Sequence, residues 1–413
     1  MNTVHQVPDL SRLSSRIPAA PSIGSTTVTK PDHIHLSFGF AADSLFPLEA
    51  LEQSAQQAIR QDGARALQYS GAPGPAYILD WIQSRAASYG IDAETAQILV
   101  TNGATQGIAL AAQLLLEPGD EVWVEAPTFF SALQAFRLCG ASIRAFPIDG
   151  EGVQVDKLEE ALIAAVHEGR PVPKLFYTMP VYHNPGGVTL SLSRRRQLAD
   201  LARRYNFYIV EDDAYAELNF TGETFISLYE LAPERTIYLN TFSKIIAPGI
   251  RLGWMIAHPL LVSRLRILML GSSTAVFTQE IVAHLLKQLD FEQHRAQLIR
   301  HYWRQRDIMV TAIRSELGDE VSFELPEGGF FLWLTFPDQV NTAEMQYIAE
   351  RHGVSYVAGS HFYHDDSGHN HLRLCFSYCT ADRLTEGISR LAAAYREYRE
   401  EHLHQGVDSY SQH

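Results

Sequence analysis

The run Thr236-Ile237-Tyr238-Leu239-Asn240-Thr241-Phe242-Ser243-Lys244 ends an apolar strand in hydroxyl side chains and a lysine, and Arg251 follows seven residues later. A lone lysine is ordinarily a solvated surface charge. At the carboxyl end of an apolar strand it stands where open α/β sheets bind ligands. An amine kept from water there is nucleophilic and can form a Schiff base with a carbonyl. Thr241, Ser243 and Arg251 offer hydroxyl donors and a guanidinium fork, which a phosphate needs.

Working outward, short apolar runs alternate with helical patterns. Strands are expected at Ile98–Thr101, Glu121–Val124, Ser142–Phe146, Leu175–Thr178, Phe207–Val210, around Tyr238 and at Trp254–Ala257. Helical periodicity covers Pro47–Arg60, Thr105–Leu116 and Ser193–Tyr205. This alternation predicts an α/β fold with a mostly parallel central sheet. Past Phe291 the pattern changes to a long charged helix (Glu292–Leu317), strands near Phe330–Leu334 and Leu372–Phe376, and a last helix to about Arg399. That is a smaller α+β domain. At 413 residues the chain is long for one core. The expected division is an N-terminal arm over 1–34, a segment 35–59 joining the small domain, a large cofactor-binding domain over 60–291, and a small C-terminal domain over 292–413.

Composition narrows the function classes. Lys plus Arg total 33 against 47 Asp plus Glu, a net charge of -14. Such a balance disfavours nucleic acid and anionic membrane as partners. No apolar run approaches the roughly 18 residues of a membrane span. The first 31 residues carry Arg12, Arg16 and many Ser, as transit peptides do, but Pro8, Pro18 and Pro21 favour a structural arm. Cys139, Cys375 and Cys379 make no disulfide framework, which suits a reducing cytoplasmic compartment. Cys375 and Cys379 are four apart in an expected strand and so share a face. His361, His364, His369 and His371 crowd one loop with Asp365 and Asp366, yet their spacing fits no compact ligand set, so no metal is expected.

Several further groups belong with Lys244. Asp212, in Val210-Glu211-Asp212-Asp213-Ala214-Tyr215, ends a strand. Three consecutive acids also suit a helix cap or magnesium. Beside a Schiff-base lysine, Asp212 would keep a pyridine nitrogen protonated and make the ring an electron sink. Tyr215 and Asn184, the latter in His183-Asn184-Pro185-Gly186-Gly187, would reach the ring's phenolic oxygen. Gly103-Ala104-Thr105-Gln106-Gly107 opens a helix after a strand, either an ordinary strand-to-helix turn or an anion site through its N–H groups. Phe129 could lie flat on a ring or belong to the core. Arg373, between Leu372 and Leu374, needs a partner, either a substrate carboxylate or an internal salt bridge. Together these groups read as a pyridoxal 5′-phosphate site.

The ordered set resembles the fold-type I pyridoxal-phosphate enzymes of the class I/II aminotransferases, in the branch of 2-aminoadipate/kynurenine aminotransferases and the aminotransferase-like part of MocR regulators. Further matching motifs are Leu36-Ser37-Phe38-Gly39, Leu67-Gln68-Tyr69-Ser70, Pro248-Gly249-Ile250-Arg251-Leu252-Gly253, Glu327-Gly328-Gly329-Phe330-Phe331 and Asn370-His371-Leu372-Arg373-Leu374. The resemblance runs from about His35 to Arg399. It implies that Lys244 carries the cofactor and shuttles a proton, Asp212 binds the pyridinium, and Asn184 and Tyr215 hold the phenolic oxygen. Ala104, Thr105, Thr241, Ser243 and Arg251 would bind phosphate. Tyr69 would reach the phosphate of a neighbouring subunit, so a homodimer with shared sites is implied. Arg373 would clamp the substrate carboxylate near the backbone of Gly39 and beside Asn184. Phe129 stands where the family often has tyrosine, and Ala214 where proline is frequent. The arm between Arg16 and Gly39 lacks the arginine-bearing helix that gates dicarboxylates in close relatives, which leaves the substrate side chain open.

The implied activity moves an amino group from an L-α-amino acid to a 2-oxo acid, with 2-oxoglutarate expected. The same electron sink also serves elimination, decarboxylation, racemisation or oxidation. A MocR-like effector-binding domain is a third reading, but such proteins carry a basic helix-turn-helix region, whereas this chain is acidic.

Overall fold

The computed structural model describes residues 32–69, 74–270 and 274–402, with Ser14, Arg16 and Ile17. The expected arm over 1–34, including Arg12, lies largely outside the described residues, as does Ser70. In chain order the first strands are β1 (Ile34–His35), β2 (Ile98–Thr101), β3 (Glu121–Ala126), β4 (Ser142–Asp149) and β5 (Gly152–Val153). Then come β6 (Leu175–Thr178), β7 (Tyr208–Asp212), β8 (Thr236–Thr241) and β9 (Gly253–Ile256). The last are β10 (Phe331–Thr335), β11 (Val354–Ser355), β12 (Val357–Ala358) and β13 (His371–Cys375).

The central sheet has eight strands in the order β2-β9-β8-β7-β6-β3-β4-β5. Its middle, β8 to β4, is parallel, while β2, β9 and β5 pair antiparallel at the edges. Strands buried on both faces explain the unbroken apolar runs of the sequence. Alternation still sorts them: Trp123, Phe176 and Ile209 join the core under the 192–205 helix, while Val124, Tyr177 and Val210 face the other core. Between β6 and β3 the winding direction changes. Ligands bind at the carboxyl ends of strands beside such a switch, and Glu125, Thr178 and Asp212 all stand there.

A second sheet, β10-β13-β12, is antiparallel and is flanked by helices Phe291–Glu316, Thr342–Arg351 and Ala381–His402. β1 pairs in parallel with β11, tying the segment before Gly39 to this part of the chain. Two expectations need correction. Cys379 lies in the loop beyond β13, so it shares no strand face with Cys375. The Pro47–Arg60 pattern is an α-helix only over Leu48–Gln57; it widens to a π-helical turn at Ala58–Asp62 before Gly63, whose φ is 49°.

Candidate active site

A cleft of about 290 Å³ opens between the carboxyl ends of the central strands and the second sheet. Ala104, Thr105, Phe129, Asn184, Asp212, Tyr215, Thr241, Ser243, Lys244, Arg251, Gly39 and Arg373 all line it. Tyr69 does not: it is 99% exposed in its own chain.

β8 ends at Thr241, and a single helical turn over Phe242–Lys244 swings the lysine back over the sheet. Its Nζ donates to Gly39 O at 2.8 Å and stands 5.5 Å from the centre of the Tyr215 ring. Burial pulls the amine down to about 8, and the guanidinium groups of Arg373 and Arg251 push the same way. Asp212 sits at the tip of β7, 2% exposed. Burial raises its pKa to about 6, opposed by the Tyr177 hydroxyl, which donates to Oδ2 at 2.8 Å. Oδ1 is buried with no hydrogen-bond partner among the described residues. Glu211 and Asp213 serve the scaffold: Glu211 accepts from the Leu228 and Tyr229 amides, and Asp213 from the Tyr238 hydroxyl.

Arg373 projects from β13 into the cleft. No carboxylate pairs with it among the described residues. It donates from Nη1 to Asn184 Oδ1 (2.9 Å) and from Nη2 to Ser37 O (2.9 Å), and among the described residues Nε has no partner. Its guanidinium lies 4.1 Å from the centre of the Phe331 ring. Because Asn184 Oδ1 is taken, the amide N–H groups of that side chain remain to donate. The loop carrying Asn184 is braced behind by Glu125, which accepts from Thr178 Oγ1 (2.7 Å) and Met179 N (2.9 Å) and lies 3.1 Å from His183 Nε2.

At the other end, Gly103 has φ 81° and begins the helix Ala104–Leu115. A Cβ on Gly103 would sit 2.9 Å from Arg251 Nη2, and one on Gly253 would lie 2.7 Å from Asn240 O and 2.9 Å from Gly103. Two glycines thus let helix start, strand and guanidinium close into a small cradle. Ser243 N donates to Thr241 Oγ1 (3.1 Å), which lies 2.9 Å from Ser243 Oγ. A cradle of N–H, hydroxyl and guanidinium groups, an unpartnered buried carboxylate oxygen and a half-buried amine of lowered pKa fit the phosphate, ring nitrogen and carbonyl of pyridoxal phosphate.

The sequence reading passed over Tyr177 and the apolar wall of Phe40, Phe130, Met179 and Phe331. Tyr177 and Phe331 sit in strand runs that read as core, Phe40 and Met179 in loops and Phe130 at a helix start, and only the assembled fold brings them together. Of the four histidines, His371 stands on β13, where it stacks on Trp333 with centroids 5.2 Å apart and meets Thr335 Oγ1 at 3.0 Å. Burial pulls its pKa to about 4. Among the described residues no three His, Cys, Asp or Glu side chains gather as for a metal, and no helix is long and apolar enough to cross a membrane.

Comparison with known proteins shows the family. The family model described as aminotransferase class I and II matches residues 33–391. An aromatic-amino-acid aminotransferase of Thermococcus litoralis is 36% identical over 377 residues, 90% of this chain and 89% of that protein. The crystal structure of a multiple substrate aminotransferase from Thermococcus profundus superposes with a TM-score of 0.86 at 32% identity, covering 95% of this chain and 99% of the other. That of a Pyrococcus horikoshii kynurenine aminotransferase, in complex with PMP, gives 0.83 at 36% identity, covering 89% and 91%.

Proposed function

Because this chain belongs to the class I and II aminotransferases and uses pyridoxal 5′-phosphate, we propose that Lys244 and Arg373 carry amino-group transfer from an L-α-amino acid with a large apolar or aromatic side chain to a 2-oxo acid, 2-oxoglutarate being the expected acceptor. The observation that carries this reading is the convergence of Lys244, Asp212 and Arg373 on one cleft walled by Phe40, Phe129, Phe130, Met179 and Phe331. When bound, the cofactor supplies an electron-withdrawing ring that accepts the charge left as a substrate Cα proton departs.

The chain's own groups do the rest. Asp212 Oδ1 holds the proton of the ring nitrogen. Asn184, through its free amide N–H, and Tyr215 bind the phenolic oxygen. Ala104, Thr105, Thr241, Ser243 and Arg251 fix the phosphate, and Phe129 packs on the ring face. Arg373 takes the substrate carboxylate as a charge-assisted pair, releasing Ser37 O. Lys244 moves the proton at Cα, a task for an amine whose pKa lies near the working pH. Arg251 is already committed to the phosphate, so Arg373 is the lining cation left for substrate. An apolar side chain therefore suits the wall better than a second carboxylate.

We further propose a cytoplasmic homodimer in which Tyr69 completes the partner's phosphate site. Residues 60–291 would form the cofactor-holding domain, and 35–59 with 292–413 the smaller one. Single amino acids added to the purified yellow holoenzyme test the reading. A phenylalanine- or leucine-like donor should bleach the visible band and release its 2-oxo acid, and 2-oxoglutarate should restore the band. Bleaching by acidic donors alone would sink the apolar-donor assignment.

A further inference from the structure

A carboxylate as deeply buried as Asp212 tends to take up a proton, since removal from water penalises its charged form. Among the described residues the ionised form has one side-chain hydrogen-bond donor, the hydroxyl of Tyr177 at 2.8 Å from Oδ2, beside the backbone N–H of Ala214. The contact follows from register. Tyr177 on β6 stands opposite Val210 on the parallel β7, two residues before Asp212, so both side chains leave the same face of the sheet. The phenol ring is fully buried and is backed edge-on by Phe136, with centroids 5.8 Å apart. The other charged or titratable groups that act on Asp212 are the Lys244 amine, which favours its charge, Glu125 at the end of β3, which opposes it, and Asp213 and Tyr215 from its own segment.

We propose that Tyr177 is a positioning residue for the reaction: it fixes Oδ2, leaves Oδ1 facing the cofactor's ring nitrogen, and supports the carboxylate charge that keeps that nitrogen protonated. The proposal rests on the assignment of Asp212 to the ring nitrogen. Tyr177 touches neither substrate nor cofactor and acts through Asp212. Its removal makes Asp212 the better base of the pair, so the shared proton moves from nitrogen toward the carboxylate.

The test compares wild-type holoenzyme with Tyr177→Phe, both loaded with pyridoxal phosphate labelled with nitrogen-15 in the ring, by NMR at one pH. In the wild type the nitrogen is expected at its protonated position. In Tyr177→Phe it moves toward the unprotonated position, as expected for a carboxylate more basic by about one pH unit. The kcat falls about tenfold while the donor KM holds, because Arg373 is untouched. Melting curves establish that the variant is folded. If it is not, Tyr177→His takes its place, since a ring N–H donor at that position restores the wild-type resonance. A folded Tyr177→Phe, or a Tyr177→His without a donor contact, that keeps a fully protonated nitrogen overturns the proposal. An unprotonated nitrogen in the wild type overturns the Asp212 assignment itself and the proposal with it.

Discussion

Truncating Lys244 removes the amine that both anchors the cofactor and moves the Cα proton. Lys244→Ala is therefore expected to lower kcat by roughly a thousandfold or more while leaving the fold intact, since no core contact depends on the ammonium. In cofactor-free protein the same amine, with its pKa near 8, should react with an acylating reagent half-maximally at about that pH, well below an ordinary lysine. Peptide mapping reads this directly. Arg373→Gln keeps a polar end but shortens the side chain and loses charge and fork. Its signature is a donor KM raised about tenfold to a hundredfold, with kcat changed less. Asp212 shows what the site costs the scaffold. A carboxylate whose folded pKa is raised from 3.8 to about 6 favours folding below 3.8, and that contribution fades as pH rises through about 6. Cofactor-free Asp212→Asn should accordingly melt above cofactor-free wild type at pH 8, the gap narrowing below pH 4. Equal melting temperatures at pH 8 would refute this. Residues of this kind are legible in a sequence because each breaks a pattern: a lysine ending an apolar strand, an arginine between leucines. Tyr177 and Phe331 break none, and their part is visible only once strands are paired.

At the scale of elements, most central strands fall within a few residues of where apolar runs place them, and β6 coincides with its run. β4 and β7 run on past their runs to Asp149 and Asp212, because polar ends pair as well as apolar middles. The long helix begins at Phe291 and ends at Glu316, one residue early at both ends. The π-helical turn at Ala58–Asp62 leaves no mark on periodicity, since a single wide turn shifts the pattern by only one position. Pairing direction is equally silent: nothing in Gly253–Ile256 announces that β9 runs antiparallel to both its neighbours. Yet β9 packs closely against its neighbours at Gly253. Gly253→Ala would drive a methyl group into Asn240 O and Gly103, both backbone and unable to yield. The expected cost is about 1–3 kcal/mol, seen as a lower melting temperature, together with weaker phosphate retention as the Gly103 turn is displaced. An unchanged melting temperature would mean that the strand gives way more easily than its neighbours suggest.

For the whole molecule, the exposed Tyr69 carries the clearest consequence of the proposed dimer. Light scattering is expected to give twice 46.2 kDa, and Tyr69→Ala should loosen cofactor binding although its side chain lies outside the cleft of its own chain. A fully active monomer would contradict both. The segment Ser37–Phe40 reaches across the two sheets at this same scale. Ser37 O accepts from Arg373, Gly39 O from Lys244, and Phe40 O from Ser377 Oγ. At Arg373 the backbone thus stands in for the substrate while the cleft waits, and in the cofactor-free chain Gly39 O does the same for the Lys244 amine. A substrate gains only the difference between its own contact and the carbonyl it displaces, and a product leaving is compensated in the same coin. For an enzyme that must release one acid before it can admit the next, such exchange keeps either half of the cycle from becoming a trap.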